Sequence, residues 1–111
     1  MPESTTTARL VLTTAPSAEA ADRLARTLVE EQLAACVTLV PSIQSVYRWQ
    51  GAMESATETL LLLKTSVERL PALEARLLAL HSYQTPEFLV LPVESGSRSY
   101  LDWLAASLRR A

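Results

Sequence analysis

Cysteine is nearly absent from this chain of 111 residues: Cys36 stands alone, so no internal disulfide framework is available. A single thiol also fits a reducing compartment. His81 is the only histidine, and neither a Cys-x-x-Cys nor a His-x-x-x-His pair occurs, which excludes a closed zinc site by spacing. Only Gly51 and Gly96 are glycine, too few for a glycine-rich phosphate loop. Neither sign of charge dominates: 10 Lys and Arg face 12 Asp and Glu, for a net charge of -2. The arginines are scattered rather than striped, which argues against nucleic-acid binding. No apolar run approaches the roughly 20 residues that span a bilayer, so no membrane segment is expected. The start, Met1-Pro-Glu-Ser-Thr-Thr-Thr, lacks the charged-then-apolar pattern of a leader. The cytoplasm is the default compartment, with the periplasm as the alternative.

What is present suits one globular core. Hydrophobic residues make up 49% and charged residues 20%. Residues 1–7 read as a loose terminus and residues 8–111 as a single domain. Arg9 to Thr14 is an apolar, β-branched run that reads as a first strand. Ser17 caps a helix whose apolar face is Ala21, Leu24, Ala25, Leu28 and Val29, ending near Gln32. Two long strand-like runs then meet at Gly51, Ala34 to Gln50 and Met53 to Thr65, and read as a hairpin. Fully extended, the first run would span about 56 Å at about 3.3 Å per residue. A compact domain of this length is only about 34 Å across. The hairpin must therefore bend or protrude, and Pro41 marks an edge, a bend or a bulge. Its outer half carries Ile43, Val46, Tyr47 and Trp49, which should not stand in water. A second copy of the chain is the simplest cover.

Leu60 to Leu63 shows no alternation, so both faces of that strand are expected to be buried. Ser66 is the expected cap of a second helix with the stripe Leu70, Leu73, Leu77 and Leu80, although Pro71 confuses its start. Gln84 to Pro92 reads as a fourth strand. A capping box from Ser99 to Asp102 opens a third helix whose buried face is Tyr100, Leu104 and Leu108. Arg109 and Arg110 complement that helix's C-terminal dipole. The order βαββαβ plus a terminal helix is the ferredoxin-like split βαβ pattern. The expected fold is thus α+β, an antiparallel sheet with helices on one face and a long central hairpin that protrudes.

Several side chains could carry chemistry. Cys36, in an apolar strand, is either a small core residue or a thiolate ligand. His81, at a helix-to-strand turn, is either structural or a contact to a metal. Lys64, Tyr83 and Glu87 either are solvated and packed in the ordinary way or line a polar cleft between subunits. Tyr47, Trp49 and Trp103 read as interface packing. An enzyme using Glu87 or His81 as a base has no positioned nucleophile-base pair to support it.

Five segments together resemble one family: Leu33-Ala-Ala-Cys-Val, Val46-Tyr-Arg-Trp-Gln-Gly, Leu63-Lys-Thr, His81-Ser-Tyr-Gln-Thr-Pro-Glu, and Leu91-Pro-Val with Tyr100-Leu-Asp-Trp-Leu. They look like the divalent-cation tolerance protein CutA family, in order and spacing from about Leu10 to Leu108. The resemblance implies a ferredoxin-like subunit in a homotrimer similar to the PII signalling proteins. Tyr47, Trp49 and Trp103 would then lie at its interface, and the hairpins would reach across to neighbours. It implies a non-enzymatic role in tolerance of copper or another divalent cation, or in sensing a small ligand. The alternative is an interaction module that anchors or regulates a partner protein. His81 would be the metal contact, with Cys36 behind it, and Lys64, Tyr83, Pro86 and Glu87 would line the ligand cleft. Some bacterial members carry a cysteine where this chain has Thr13, and a second histidine where it has Leu80. A hydroxyl and an aliphatic chain are poor copper ligands, so only His81 survives of that set.

Overall fold

The hairpin is the longest feature of the structure, a computed structural model that describes residues 6–109. Its strands β2, Cys36–Trp49, and β3, Ala52–Ser66, are joined by Gln50 and Gly51. Both turn residues have positive φ, 51° and 84°. That is the requirement of a type I′ turn, whose twist matches the flanking strands. Gly51 meets it without a Cβ penalty. The strands do not form one straight rod. Register slips by one residue between Val40 and Ile43, and Ser42 sits at φ 62°. Pro41 therefore marks a β-bulge, one of the outcomes its missing N–H anticipates.

β1, Ala8–Ala15, pairs antiparallel with β3 from Ser66 back to Thr59. β4, Leu89–Pro92, pairs with the other edge of β1, giving the sheet order β2-β3-β1-β4. Beyond Thr59 the strand β3 has only β2 beside it, so Ile43–Trp49 and Ala52–Glu58 form a two-stranded ribbon. Seven residue pairs make it about 23 Å long at about 3.3 Å per residue. The radius of gyration is 14.9 Å, against about 13 Å for a compact chain of this length. The ribbon protrudes as the length argument requires.

α1, Ala18–Glu30, is capped by Ser17, whose side chain accepts the Ala20 N–H. α2, Leu70–Leu80, follows a 3-10 turn, Val67–Arg69. Ser66 precedes that turn but makes no side-chain cap, and Pro71 lies in the first turn of α2, where its missing N–H costs nothing. Leu73 and Leu77 are fully buried, whereas Leu80 is exposed at the helix end. Leu24 and Leu28 of α1 meet Leu73 and Leu77 of α2 over Val11, Leu61 and Leu63 of the sheet. A bidentate pair, Arg76 to Glu31 at 2.8 and 2.9 Å, ties the helices together outside this core.

α3, Arg98–Ser107, is capped by Ser97, not by Ser99. Ser97 is extended, as a cap must be, and accepts the Tyr100 N–H; Ser99 is already helical. Leu104 and Leu108 bury against Ala8 and Ala35 in a separate cluster. Ala8 alternates with Leu10 and Leu12, so α3 packs at one end of the sheet face that α1 and α2 leave free. Tyr100 does not join this buried face: it is 43% exposed and tilts against Trp103. Its hydroxyl lies near Cys36, and burial, then Cys36, raises it above the usual phenol range. The fourth strand is also shorter than the sequence suggests, because residues 84–88 are irregular and only Leu89–Pro92 pairs with β1. Of the terminus read as loose, residues 1–5 lie outside the described residues, while Thr6 donates to the Val93 carbonyl at 2.7 Å. Arg110 also lies outside them.

Candidate functional site

Strand alternation decides which side chains can meet. Leu60, Leu62 and Lys64 of β3 point away from α1 and α2, beside Leu10, Leu12 and Thr14 of β1. Glu58 continues the same row, opposite Ile43 and near Ser45 on β2. The bulge at Ser42 re-aims the outer ribbon, so Ser45, Tyr47 and Trp49 share this face too. A cleft of about 550 Å³ opens at the foot of the ribbon. Its walls include Glu58, Tyr47, Trp49, Tyr83 and Glu87.

Glu58 is 8% exposed, a carboxylate in a nearly closed place. The Tyr83 hydroxyl donates to its Oε2 at 2.5 Å. Burial raises the Glu58 carboxyl, but hydrogen bonds from Tyr83, Ser45 and Thr14, with a contribution from His81, outweigh it. The net effect lies below the ordinary value of 4.5. The group is therefore held as an anion by hydroxyl donors, as hydrogen bonds to a charged form require. Burial first, and then the neighbouring carboxylate, pushes the Tyr83 phenol far above its usual range. It stays a donor.

His81 stands behind this pair and stacks obliquely on Tyr83, with ring centroids 4.7 Å apart. Its Nε2 donates to the Thr14 carbonyl at 2.6 Å, and its Nδ1 accepts the Tyr83 N–H at 3.1 Å. These bonds use both ring nitrogens. A metal would have to displace one of them. The imidazole also lines a second, smaller recess beside Ala15 and Arg23 rather than the Glu58 cleft. Thr13 is fully buried on the helix side, its hydroxyl without a hydrogen-bond partner among the described residues. Among the described residues no group of three His, Cys, Asp or Glu could hold a metal ion.

The structure brings together only part of the set read from the sequence. Tyr83 and Glu87 line the cleft, and Pro86 lies between wall residues without being one. Lys64 is elsewhere within the single chain, six residues from Glu58 along β3, or about 20 Å. It reaches Cys36 Sγ at 3.6 Å and also donates to the Thr38 hydroxyl. Cys36 is accordingly half-buried beside a lysine rather than packed in the main core. Trp103 is exposed on α3, away from the cleft. Glu58, Ser45 and Thr14 are the residues the sequence reading omits. One signal was available: in β3 the alternation puts the charge of Glu58 in the same row as Leu60 and Leu62.

The fold and site define a ferredoxin-like α+β protein with one sheet face largely open and an acidic cleft at its hairpin. Residues 9–107 match the family described as CutA1 divalent ion tolerance protein. The chain belongs to that family. It is 52% identical over 95 residues to a divalent-cation tolerance protein CutA of Thermus thermophilus, covering 86% of this chain and 92% of that one. The crystal structure of CutA from Xylella fastidiosa superposes with a TM-score of 0.91 at 39% identity, covering 94% of this chain and 100% of that one. A structure from Archaeoglobus fulgidus, described as a periplasmic divalent cation tolerance protein CutA, gives a TM-score of 0.89 at 38% identity. It covers 92% of this chain and 99% of that one. Among the described residues no helix is long and apolar enough to cross a membrane.

Proposed function

We propose that three copies of this chain assemble through the open sheet face into a non-enzymatic protein of divalent-cation tolerance or small-ligand sensing. One observation carries the reading. The uncovered face joins Leu89 and Leu91, exposed at 55% and 41%, to Tyr47 and Trp49 and runs into the Glu58 cleft without a break. A surface of that kind is covered by protein in solution. Covering it places the cleft beside a neighbouring subunit, and the Lys64 of another copy can then approach what its own Lys64 does not reach. The family supplies the metal connection. Copper is the candidate ion and His81 its contact, with Cys36 as a weaker second. The bonds His81 already makes to Thr14 and Tyr83 lower the affinity below that of a free imidazole.

Calorimetric titration with copper tests the metal half. Micromolar binding by the wild type, weakened at least tenfold in His81→Ala, supports it. Absence of heat in the wild type removes copper and leaves the small-ligand half.

A further inference from the structure

We propose that the Glu58 carboxylate is a latch: while ionised it holds the outer ribbon at a fixed angle to the sheet, and its protonation sets the ribbon free. The ribbon needs such a fastening. β1 stops pairing with β3 at Thr59, so Glu58 is the first residue of β3 without β1 beside it. On β2 the pairing lapses between Val40 and Ile43, where Ser42 takes a left-handed backbone. Only β3 therefore runs unbroken from the sheet into the ribbon. Short irregular segments at the ends of elements are where hinges form. A two-stranded ribbon is marginal on its own. The cleft of about 550 Å³ between the ribbon and the segment after α2 leaves room for it to swing.

Glu58 is where the separate parts meet. It is the first buried residue of β3 counted from the hairpin tip. Its carboxylate accepts the Tyr83 hydroxyl at 2.5 Å and is bonded by Ser45 and Thr14 as well. Those donors come from the segment after α2, from the ribbon's other strand and from the end of β1. Tyr83 is itself placed by His81, which accepts its N–H and reaches the Thr14 carbonyl. The Thr57 to Gln44 bond stays inside the ribbon. Among the described residues, Glu58 alone bonds the ribbon by a side chain to the rest of the chain.

An anion suits this place because its partners are donors, and bonds to a charged acceptor are the stronger kind. Burial opposes the charge, and the hydroxyls with His81 outweigh it. The bonds are therefore complete at neutral pH and fail as pH falls through the folded carboxyl's own range. Protonation leaves the carboxyl with a proton of its own to place among groups that already donate. The other groups facing Glu58 are Tyr47 on the ribbon and Glu87 after α2; no lysine or arginine of the same chain lines the cleft. Arg23 of α1 stands beyond His81, at the smaller recess. The link from latch to assembly rests on the reading above. A ribbon already at its working angle spares a neighbour the cost of ordering it. A neighbour's Lys64 brought to the cleft favours the ionised latch in return.

Tyr83→Phe and Glu58→Gln test the latch, each checked for folding by circular dichroism. Sedimentation velocity reads assembly. Heteronuclear NOE values read the motion of the ribbon amides, residues 44–57, against those of the sheet. Both variants should assemble at least tenfold more weakly than the wild type at neutral pH. Acid should loosen the wild-type assembly, and in Tyr83→Phe the loosening should begin at higher pH. Leu62→Asp, expected to stay a single chain, should keep a ribbon as rigid as its sheet. Adding Tyr83→Phe to it should make the ribbon mobile while the sheet stays rigid. A ribbon still rigid in that folded double variant overturns the latch. A mobile ribbon with unchanged assembly overturns its link to assembly. A wild type that never assembles removes the reading above, and the ribbon amides of that single chain, with and without Tyr83→Phe, then decide the latch alone. Should the variants misfold, the wild type in acid decides: a ribbon rigid until the whole chain unfolds overturns the inference.

Discussion

Leu62 and Leu63 are neighbours in one strand, yet they belong to different environments. Leu63, with Leu61 and Val11, is sealed under α1 and α2. Leu62 faces the other way, beside Leu12 and only half-covered, and the same row continues to the exposed Leu89. Composition does not distinguish the faces, since leucine dominates both. The helices cover one, whereas α3 covers only the end of the other near Ala8. The lesson is that this chain builds a complete core on one side of its sheet and half of a core on the other. The missing half has to come from outside the chain.

A charge placed on each face separates the two environments. Leu63→Asp should prevent folding, because an unpaired carboxylate cannot be accommodated in a dry core. Leu62→Asp should leave a folded chain that no longer assembles, as circular dichroism and sedimentation together would show. If both variants unfold, the two faces are equally part of one core. A milder version follows from truncation. Leu77→Ala should cost about 2–5 kcal/mol in urea unfolding, as a large-to-small change in a closed core does. Leu91→Ala should cost little at protein concentrations where the chain is monomeric, and its cost should rise with concentration.

The cleft is the polar end of the open face. Tyr83→Phe removes a hydrogen bond to a charged acceptor and should destabilise by about 1.5–3 kcal/mol at neutral pH. The Glu58 carboxyl is lowered in the folded state relative to the unfolded one. Its stabilisation is therefore complete above the unfolded value and disappears as pH falls through the folded value. In Tyr83→Phe the folded value moves up, so acid unfolding monitored by fluorescence should begin at a higher pH than in the wild type. The smallest effect belongs to the bulge. Ser42→Gly, at φ 62°, should raise stability by up to about 1 kcal/mol through relief of a left-handed backbone. Loss of stability there would mean that the Ser42 side chain is engaged by another copy.

Periodicity carried the parts of this fold that local physics determines. Ala21, Leu24, Ala25 and Leu28 lie on the buried side of α1 as their spacing requires, but Val29, expected on the same face, is exposed in the last turn of the helix. The length of the hairpin required it to bend or protrude, and Pro41 pointed to an edge, a bend or a bulge; the structure shows a protruding ribbon and a bulge. The boundaries that failed are places where tertiary contacts select among similar local options. Ser97 and Ser99 can each cap a helix, and the position of Leu104 and Leu108 on Ala8 selects Ser97. Residues 84–88 have strand composition but are irregular, following Tyr83, which is drawn to Glu58. The cleft was half legible for the same reason. Tyr83 and Glu87 stand in a local motif, whereas Glu58, Ser45 and Thr14 come from three strands whose register no spacing reveals. Lys64 belongs to a motif as well, but strand geometry carries it about 20 Å along β3 from Glu58.

Whether the uncovered leucines are sheltered by copies of the same chain is decided most directly by mass in dilute solution. Light scattering at low micromolar concentration should return about three times the 12.2 kDa of one chain. A stable, soluble particle of 12.2 kDa would contradict the account, since the exposed row from Leu89 to Trp49 would then need no cover.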